Sequence, residues 1–95
     1  ATHTTYPNPL MSDIGQDGSL PSAEGHANPQ SANRWCYEAG HHGMHSYDLA
    51  SGPPFTGIWC GEGGEYCCCG YTGWIINPNT RPKIQNLVCY NNPQT

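Results

Sequence analysis

The run IWCGEGGEYCCCGYTGWII, Ile58 to Ile76, holds four of the six cysteines and two of the three tryptophans. Gly63-Gly64 suits a two-residue hairpin turn, because glycine takes positive φ without a Cβ penalty. That turn sets Glu62 opposite Glu65 at a solvated tip and Cys60 opposite Cys67. Side chains alternate along a strand, so Cys67 and Cys69 share one face and Cys68 takes the other. Neighbouring cysteines on an extended chain do not readily meet the spacing a disulfide needs. Each of Cys67, Cys68 and Cys69 is therefore predicted to bond one of Cys36, Cys60 and Cys89, with Cys60–Cys67 preferred from the turn register. Bridges leaving both faces make this strand central, with chain covering each side.

Working outward, Trp74-Ile75-Ile76 continues as a strand and stops at Asn77-Pro78, where NPNTRP forms a turn. KIQNLVCY, Lys83 to Tyr90, reads as the final strand, tied back through Cys89, and 91–95 is a surface tail. Upstream, RWCYEAG at 34–40 and IWCGEGG at 58–64 share W-C-x-E-x-G. The match is either a duplicated hairpin half or coincidence in a glycine-rich chain, and one short match does not establish a repeat. Residues 40–57, rich in Gly and Pro, read as loop with a short helical turn near Ser46–Ala50. Residues 1–34 show no sustained periodicity and read as an extended arm anchored by Tyr6, Leu10, Met11, Ile14 and Leu20. The expected fold is all-β and small: a disulfide-stapled barrel or sandwich with long irregular connections and an extended N-terminal arm. Residues 1–95 form a single domain, with the arm at 1–34, the disulfide-bonded β core at 35–90 and the tail at 91–95.

A chain of 95 residues buries a limited fraction of its surface, and this one is poor in Leu, Ile, Val and Phe. Six cysteines compensate, and an even count in a short chain points to an oxidising, extracellular setting. Each bridge is worth roughly 2–4 kcal/mol in the chain-entropy account. A zinc or iron–sulfur site fits poorly, because no C-x-x-C occurs and three contiguous side chains rarely converge on one tetrahedral centre. No metal or cofactor is expected. Three basic residues (Arg34, Arg81, Lys83) stand against seven acidic ones, a balance that disfavours nucleic acid and anionic membranes as partners. No run is long and apolar enough to span a bilayer. The expected location is secreted, with any leader removed before Ala1.

Candidate chemistry is sparse. His41, His42 and His45 cluster, and 41 and 45 would share a helix face, but Gly40 and Gly43 argue against that helix. An exposed histidine loop, with a pH-sensitive patch as a softer alternative, fits better. Glu62 and Glu65 are paired as in glycoside hydrolases, yet sit at a hairpin tip where carboxylates are usually just solvated. HSYD at 45–48 offers Ser, His and Asp without a nucleophile elbow. All six cysteines look committed to bridges, and no catalytic residue is expected. Three Trp, six Tyr and one Phe are many for this length. Some fill the core. Trp35, Trp59, Trp74, Tyr37, Tyr66 and Tyr71 are the candidates for stacking on sugar rings or anchoring a protein interface. Ala1-Thr2-His3 would offer an amine, two amides and an imidazole to Cu(II) or Ni(II), if Ala1 is the mature terminus.

With Cys36, Cys60, Cys67, Cys68, Cys69 and Cys89, the chain resembles the small secreted cysteine-rich proteins of plant-associated filamentous fungi. Hydrophobins also carry adjacent cysteines, but have eight. The resemblance is one of type over the whole chain, and it implies a non-enzymatic effector or elicitor working through a protein interface at a host or cell surface. The alternative from the residues is an extracellular carbohydrate-binding module using exposed Trp and Tyr. An antimicrobial toxin fits less well, because the net charge is −4. The small core and apolar-poor arm further predict a homodimer.

Overall fold

The last strand of the sequence is the middle strand of the main sheet. In the computed structural model, which describes residues 1–16, 30–60 and 72–93, β5 (Lys83–Tyr90) lies between β1 (His3–Tyr6) and β2 (Met44–Ala50), antiparallel to both. Ile84, Leu87 and Cys89 of β5 are all fully buried. A strict two-residue alternation cannot put Ile84 and Leu87 on one face. Asn86 resolves the conflict: it adopts φ 49°, a left-handed conformation that Asn tolerates better than most residues. Its Nδ2 donates to Asp48 Oδ2 at 3.0 Å, and its backbone N–H donates to the Pro7 carbonyl. The β2–β5 register slips here and again at His45, which lies between the pairs Met44–Cys89 and Ser46–Val88. The helical turn expected at Ser46–Ala50 is therefore part of strand β2, whose half-buried Met44 and Tyr47 pack on the core.

A second, two-stranded sheet pairs β3 (Thr56–Cys60) with β4 (Gly73–Asn77), setting Trp59 opposite Trp74 and Cys60 opposite Gly73. The expected pairing of Cys60 opposite Cys67, the Gly63-Gly64 turn and the Cys67–Cys69 strand lie outside the described residues, as do Glu62 and Glu65. The fold is small and mostly β, with two antiparallel sheets that do not close into a barrel.

One element departs from the all-β expectation: α1, Gln30–Glu38. Its buried residues Ser31, Ala32, Trp35 and Cys36 recur at helical spacing and form a single apolar stripe. Its end is a Schellman cap. Gly40 turns to φ 91°, its N–H donates to the Tyr37 carbonyl, and His41 N–H donates to the Cys36 carbonyl. Trp35 thus lies on a helix while Trp59 lies on a strand, so the shared W-C-x-E-x-G is not a structural duplication.

Helix and main sheet are bolted together by a disulfide between Cys36 and Cys89, with Cα atoms 5.6 Å apart. This overturns the expectation that Cys67, Cys68 and Cys69 each take one of Cys36, Cys60 and Cys89. The helical stripe turns Cys36 toward β5, where the local argument about the triplet had no say. Cys60 is also disulfide-bonded, to a partner outside the described residues. Around the Cys36–Cys89 bond the core gathers Met11, Ala32, Trp35, Ile84 and Leu87, with Tyr6, Ile14 and Trp74 packed against it. Met11 belongs to a short 3-10 turn, Met11–Ile14, whose Asp13 carboxylate accepts the Leu10 N–H. Of the expected anchors, Tyr6, Met11 and Ile14 face the core. Leu10 is exposed but lends its carbonyl to Trp35 Nε1 at 3.2 Å, and Leu20 lies outside the described residues. Asn91, placed in the tail, is tied down: its N–H donates to Thr2 O and its Oδ1 accepts from Thr4 Oγ1. Among the described residues no helix is long and apolar enough to cross a membrane.

Non-reducing peptide mapping is expected to recover Cys36 joined to Cys89. The bridge spans 53 residues, so replacing both cysteines with alanine is expected to lower unfolding free energy by about 4 kcal/mol. A map that joins either residue to the Cys67–Cys69 run would contradict this arrangement.

Candidate functional site

Two surfaces gather the chemistry-bearing side chains. The first lies where α1 meets the β3–β4 sheet. Trp59 and Trp74, opposite each other in the ladder, meet edge to face with centroids 5.4 Å apart. Glu38 takes two donors on one carboxylate oxygen, Trp74 Nε1 at 2.6 Å and Arg34 Nε at 3.1 Å. The Arg34 guanidinium then lies 4.4 Å over the Trp59 ring. Arg34 and Glu38, one helical turn apart, thus strap both indoles to the helix. Ser31 completes the joint by accepting the Trp59 N–H at 3.0 Å. Beside this strap a cavity of about 100 Å³ is lined by Gln30, Asn33, Arg34, Tyr37 and Trp59. Tyr37 is 51% exposed.

The six candidate aromatics therefore part company. Trp35 is fully buried and belongs to the core, so it offers no surface. Trp59 and Trp74 are half-buried, and one face of Trp59 is already covered by Arg34. Tyr37 is freely presented. Tyr66 and Tyr71 lie outside the described residues.

The second surface was not legible as a site in the sequence. It is formed at the end of the β2–β5 ladder by the segments after β2 and before β5. Gly52 holds them together. A Cβ there would come within 2.3 Å of the Arg81 carbonyl, a distance no side chain tolerates. The resulting groove, about 360 Å³, is lined by Leu49, Ala50, Ser51, Gly52, Thr80, Arg81 and Pro82. Arg81 Nε is buried without a hydrogen-bond partner among the described residues. The other notable residue is Phe55. It stands at φ 67°, uncommon for a bulky side chain, and its N–H is pinned to the Asn77 carbonyl at 2.7 Å. Despite that fixed backbone its ring is 56% exposed, and Ile76 on the adjoining strand is 46% exposed. Strained backbone carrying an exposed aromatic was the available signal, and it cannot be seen without dihedrals.

The histidines scatter. His41 turns inward to Tyr6, with Nε2 2.6 Å from the phenol oxygen. His42 is exposed, and its backbone N–H donates to the Tyr90 carbonyl at 2.9 Å. His45 lies on β2 next to His3 of β1, with centroids 4.7 Å apart. His26 lies outside the described residues. Along HSYD, Asp48 binds Asn86 and His45 touches Ser46, so no triad forms. The chelate pictured for Ala1-Thr2-His3 needs successive amides turned to one metal. Here Thr2 O is bonded to Asn91 N–H, and His3 is a strand residue whose Nδ1 is 2.7 Å from Thr2 Oγ1. These residues would have to leave the sheet to form it.

Removing the strap is expected to cost stability and loosen the indoles. Glu38→Ala should lower unfolding free energy by about 1.5–3 kcal/mol, the range for hydrogen bonds to a charged group, with a red-shifted tryptophan emission. Emission and stability both unchanged would mean that the strap does not hold. Compared with known proteins, the chain finds no significant match among family models, curated sequences or solved structures.

Proposed function

We propose that this chain is a secreted, non-enzymatic protein of effector or elicitor type that works through a protein interface at a host or cell surface. The observation that carries the reading is Phe55: a backbone held in a left-handed conformation presents a large apolar ring to solvent, with Ile76 on the adjoining strand also exposed. Exposed aromatic and aliphatic side chains on a fixed backbone are what a protein contact uses as anchors. The groove lined by Leu49, Pro82 and Arg81 supplies apolar walls and a cation at the junction of β2 and β5. Two of the three basic residues, Arg81 and Lys83, belong to this end of an otherwise acidic chain, which favours an acidic partner surface. The Cys36–Cys89 bond agrees with an oxidising location. Self-association into a homodimer belongs to the same proposal, since an apolar end that receives a partner also serves a second copy.

A glycan-binding reading keeps one specific observation in its favour. The cavity beside Tyr37 combines an exposed phenol with Asn33, Gln30 and Arg34, planar polar groups suited to sugar hydroxyls. Against it, Asn33 Oδ1 already accepts the Met44 N–H, and Arg34 occupies the Trp59 face on which a sugar would stack.

Challenge of plant tissue or cultured cells with oxidised protein is expected to give a response that Phe55→Ser or Ile76→Ser reduces severalfold at unchanged fold. Equal potency of these variants would remove Phe55 and Ile76 from the proposal. Retention on a glycan array that is lost in Tyr37→Ala would favour the sugar reading instead. Light scattering that reads only monomer at high micromolar concentration would remove the homodimer.

A further inference from the structure

The outer face of the three-stranded sheet carries a second constellation, distinct from both surfaces above. His3 on β1 and Tyr90 on β5 are register partners, and His45 on β2 stands at the slip between Met44–Cys89 and Ser46–Val88. The extra residue at that slip puts His45 and Ser46 both on the exposed side. The rings of the two outer strands then lean together over the middle one. His3 and His45 are 4.7 Å apart between centroids, at 74°, and Tyr90 is 5.2 Å from one and 5.3 Å from the other.

The hydrogen bonds of the two imidazoles match. His3 Nδ1 is 2.7 Å from Thr2 Oγ1, and His45 Nδ1 is 3.0 Å from Ser46 Oγ. In each case the hydroxyl belongs to a chain neighbour and engages the same ring nitrogen. In the tautomer whose Nδ1–H donates to the hydroxyl, the lone pair falls on Nε2, and neither Nε2 has a hydrogen-bond partner among the described residues. This is how metal-binding histidines are prepared: one nitrogen held by an outer partner, the other left as ligand. Among the described residues no group of three or more His, Cys, Asp or Glu converges. A site on these two rings would have two protein ligands, with water completing the coordination.

We propose that His3 and His45 form a two-imidazole clamp for a borderline divalent transition ion, Cu(II) above Ni(II) and Zn(II). Imidazole nitrogen suits these ions, and two neutral ligands rank them by the Irving–Williams order. The clamp joins β1 to β2 across β5, so the ion bridges strands that share no ladder hydrogen bonds. Ion binding to the folded sheet alone stabilises it.

The test uses the full chain, stripped with chelator and titrated with zinc chloride and, separately, copper(II) chloride. Binding is followed by calorimetry and by the imidazole proton resonances. The expected result is one ion per chain, shifts or broadening confined to His3 and His45, and a raised melting temperature. His3→Ala and His45→Ala should each weaken affinity at least tenfold, whereas His42→Ala should leave it unchanged. His45→Gln, which keeps a polar side chain of similar reach, should weaken it as His45→Ala does, and circular dichroism checks that each variant folds. A chelate formed by residues 1–3 alone would survive His45→Ala, so copper affinity unchanged in that variant overturns the clamp. A ring cluster that merely packs would show no zinc-dependent shift in His3 or His45, which overturns it equally.

Discussion

The bond between Cys36 and Cys89 is what the remaining packing depends on. It joins the inner stripe of the helix to the middle strand of the main sheet. Each partner then organises its own surroundings. Beside Cys36, Trp35 fills the space between helix and sheet, and the 3-10 turn closes over it with Met11 and a carbonyl from Leu10. Beside Cys89, β5 receives β1 and β2 along its two edges. From the same helix, Ser31 and Glu38 reach the second sheet, one through a backbone amide and the other through an indole. A chain with few aliphatic side chains cannot rely on apolar area alone. It fixes its elements by single polar contacts at defined atoms, placed around one covalent junction.

What could be seen in the sequence divides along physical lines. β5 emerged with its full length because KIQNLVCY is bounded by proline and asparagine and is rich in β-formers. β4 emerged for the same reason, from Trp74-Ile75-Ile76 and the stop at Asn77-Pro78. The helix did not. RWCYEAG shares W-C-x-E-x-G with the segment at 58–64, and that likeness masks a helical stripe beginning at Ser31. Pro29 just before the helix and Gly40 just past its end were the available signs. β2 was hidden because MHSYDLA is interrupted by register slips, so its half-buried positions, Met44, Tyr47 and Ala50, recur every three residues and not every two. The bridge was missed for a related reason. Reasoning from the cysteine triplet used strand geometry, whereas Cys36 is aimed by a helix.

The surfaces were less legible than the fold. Aromatic residue type marked Trp35, Trp59, Trp74 and Tyr37 alike, but tertiary contacts sort them into one core residue, two strapped indoles and one exposed phenol. Phe55 looked like ordinary loop content after two prolines. Only its backbone conformation and the exposure of Ile76 give it weight. His3 and His45 are 42 positions apart in the chain. No spacing rule connects them, because a third strand and a one-residue slip bring them together.

The disulfide also divides the main sheet topologically. Cys36 to Cys89 closes a covalent ring that contains β2, β3, β4 and all but the last residue of β5, while β1 and the 3-10 turn lie outside it. The ring and the leading segment are thus different kinds of object. Inside, strands can loosen but their ends stay tethered, so local opening is short-ranged and quickly reversed. Outside, β1 is retained by ladder hydrogen bonds, by Tyr6 against Trp35 and by the Asn91 contacts. Its release would uncover Trp35 and one edge of β5 at once, without breaking any covalent bond. In the oxidised molecule α1 and β5 are therefore held by a covalent bond, while β1 is held by noncovalent contacts alone.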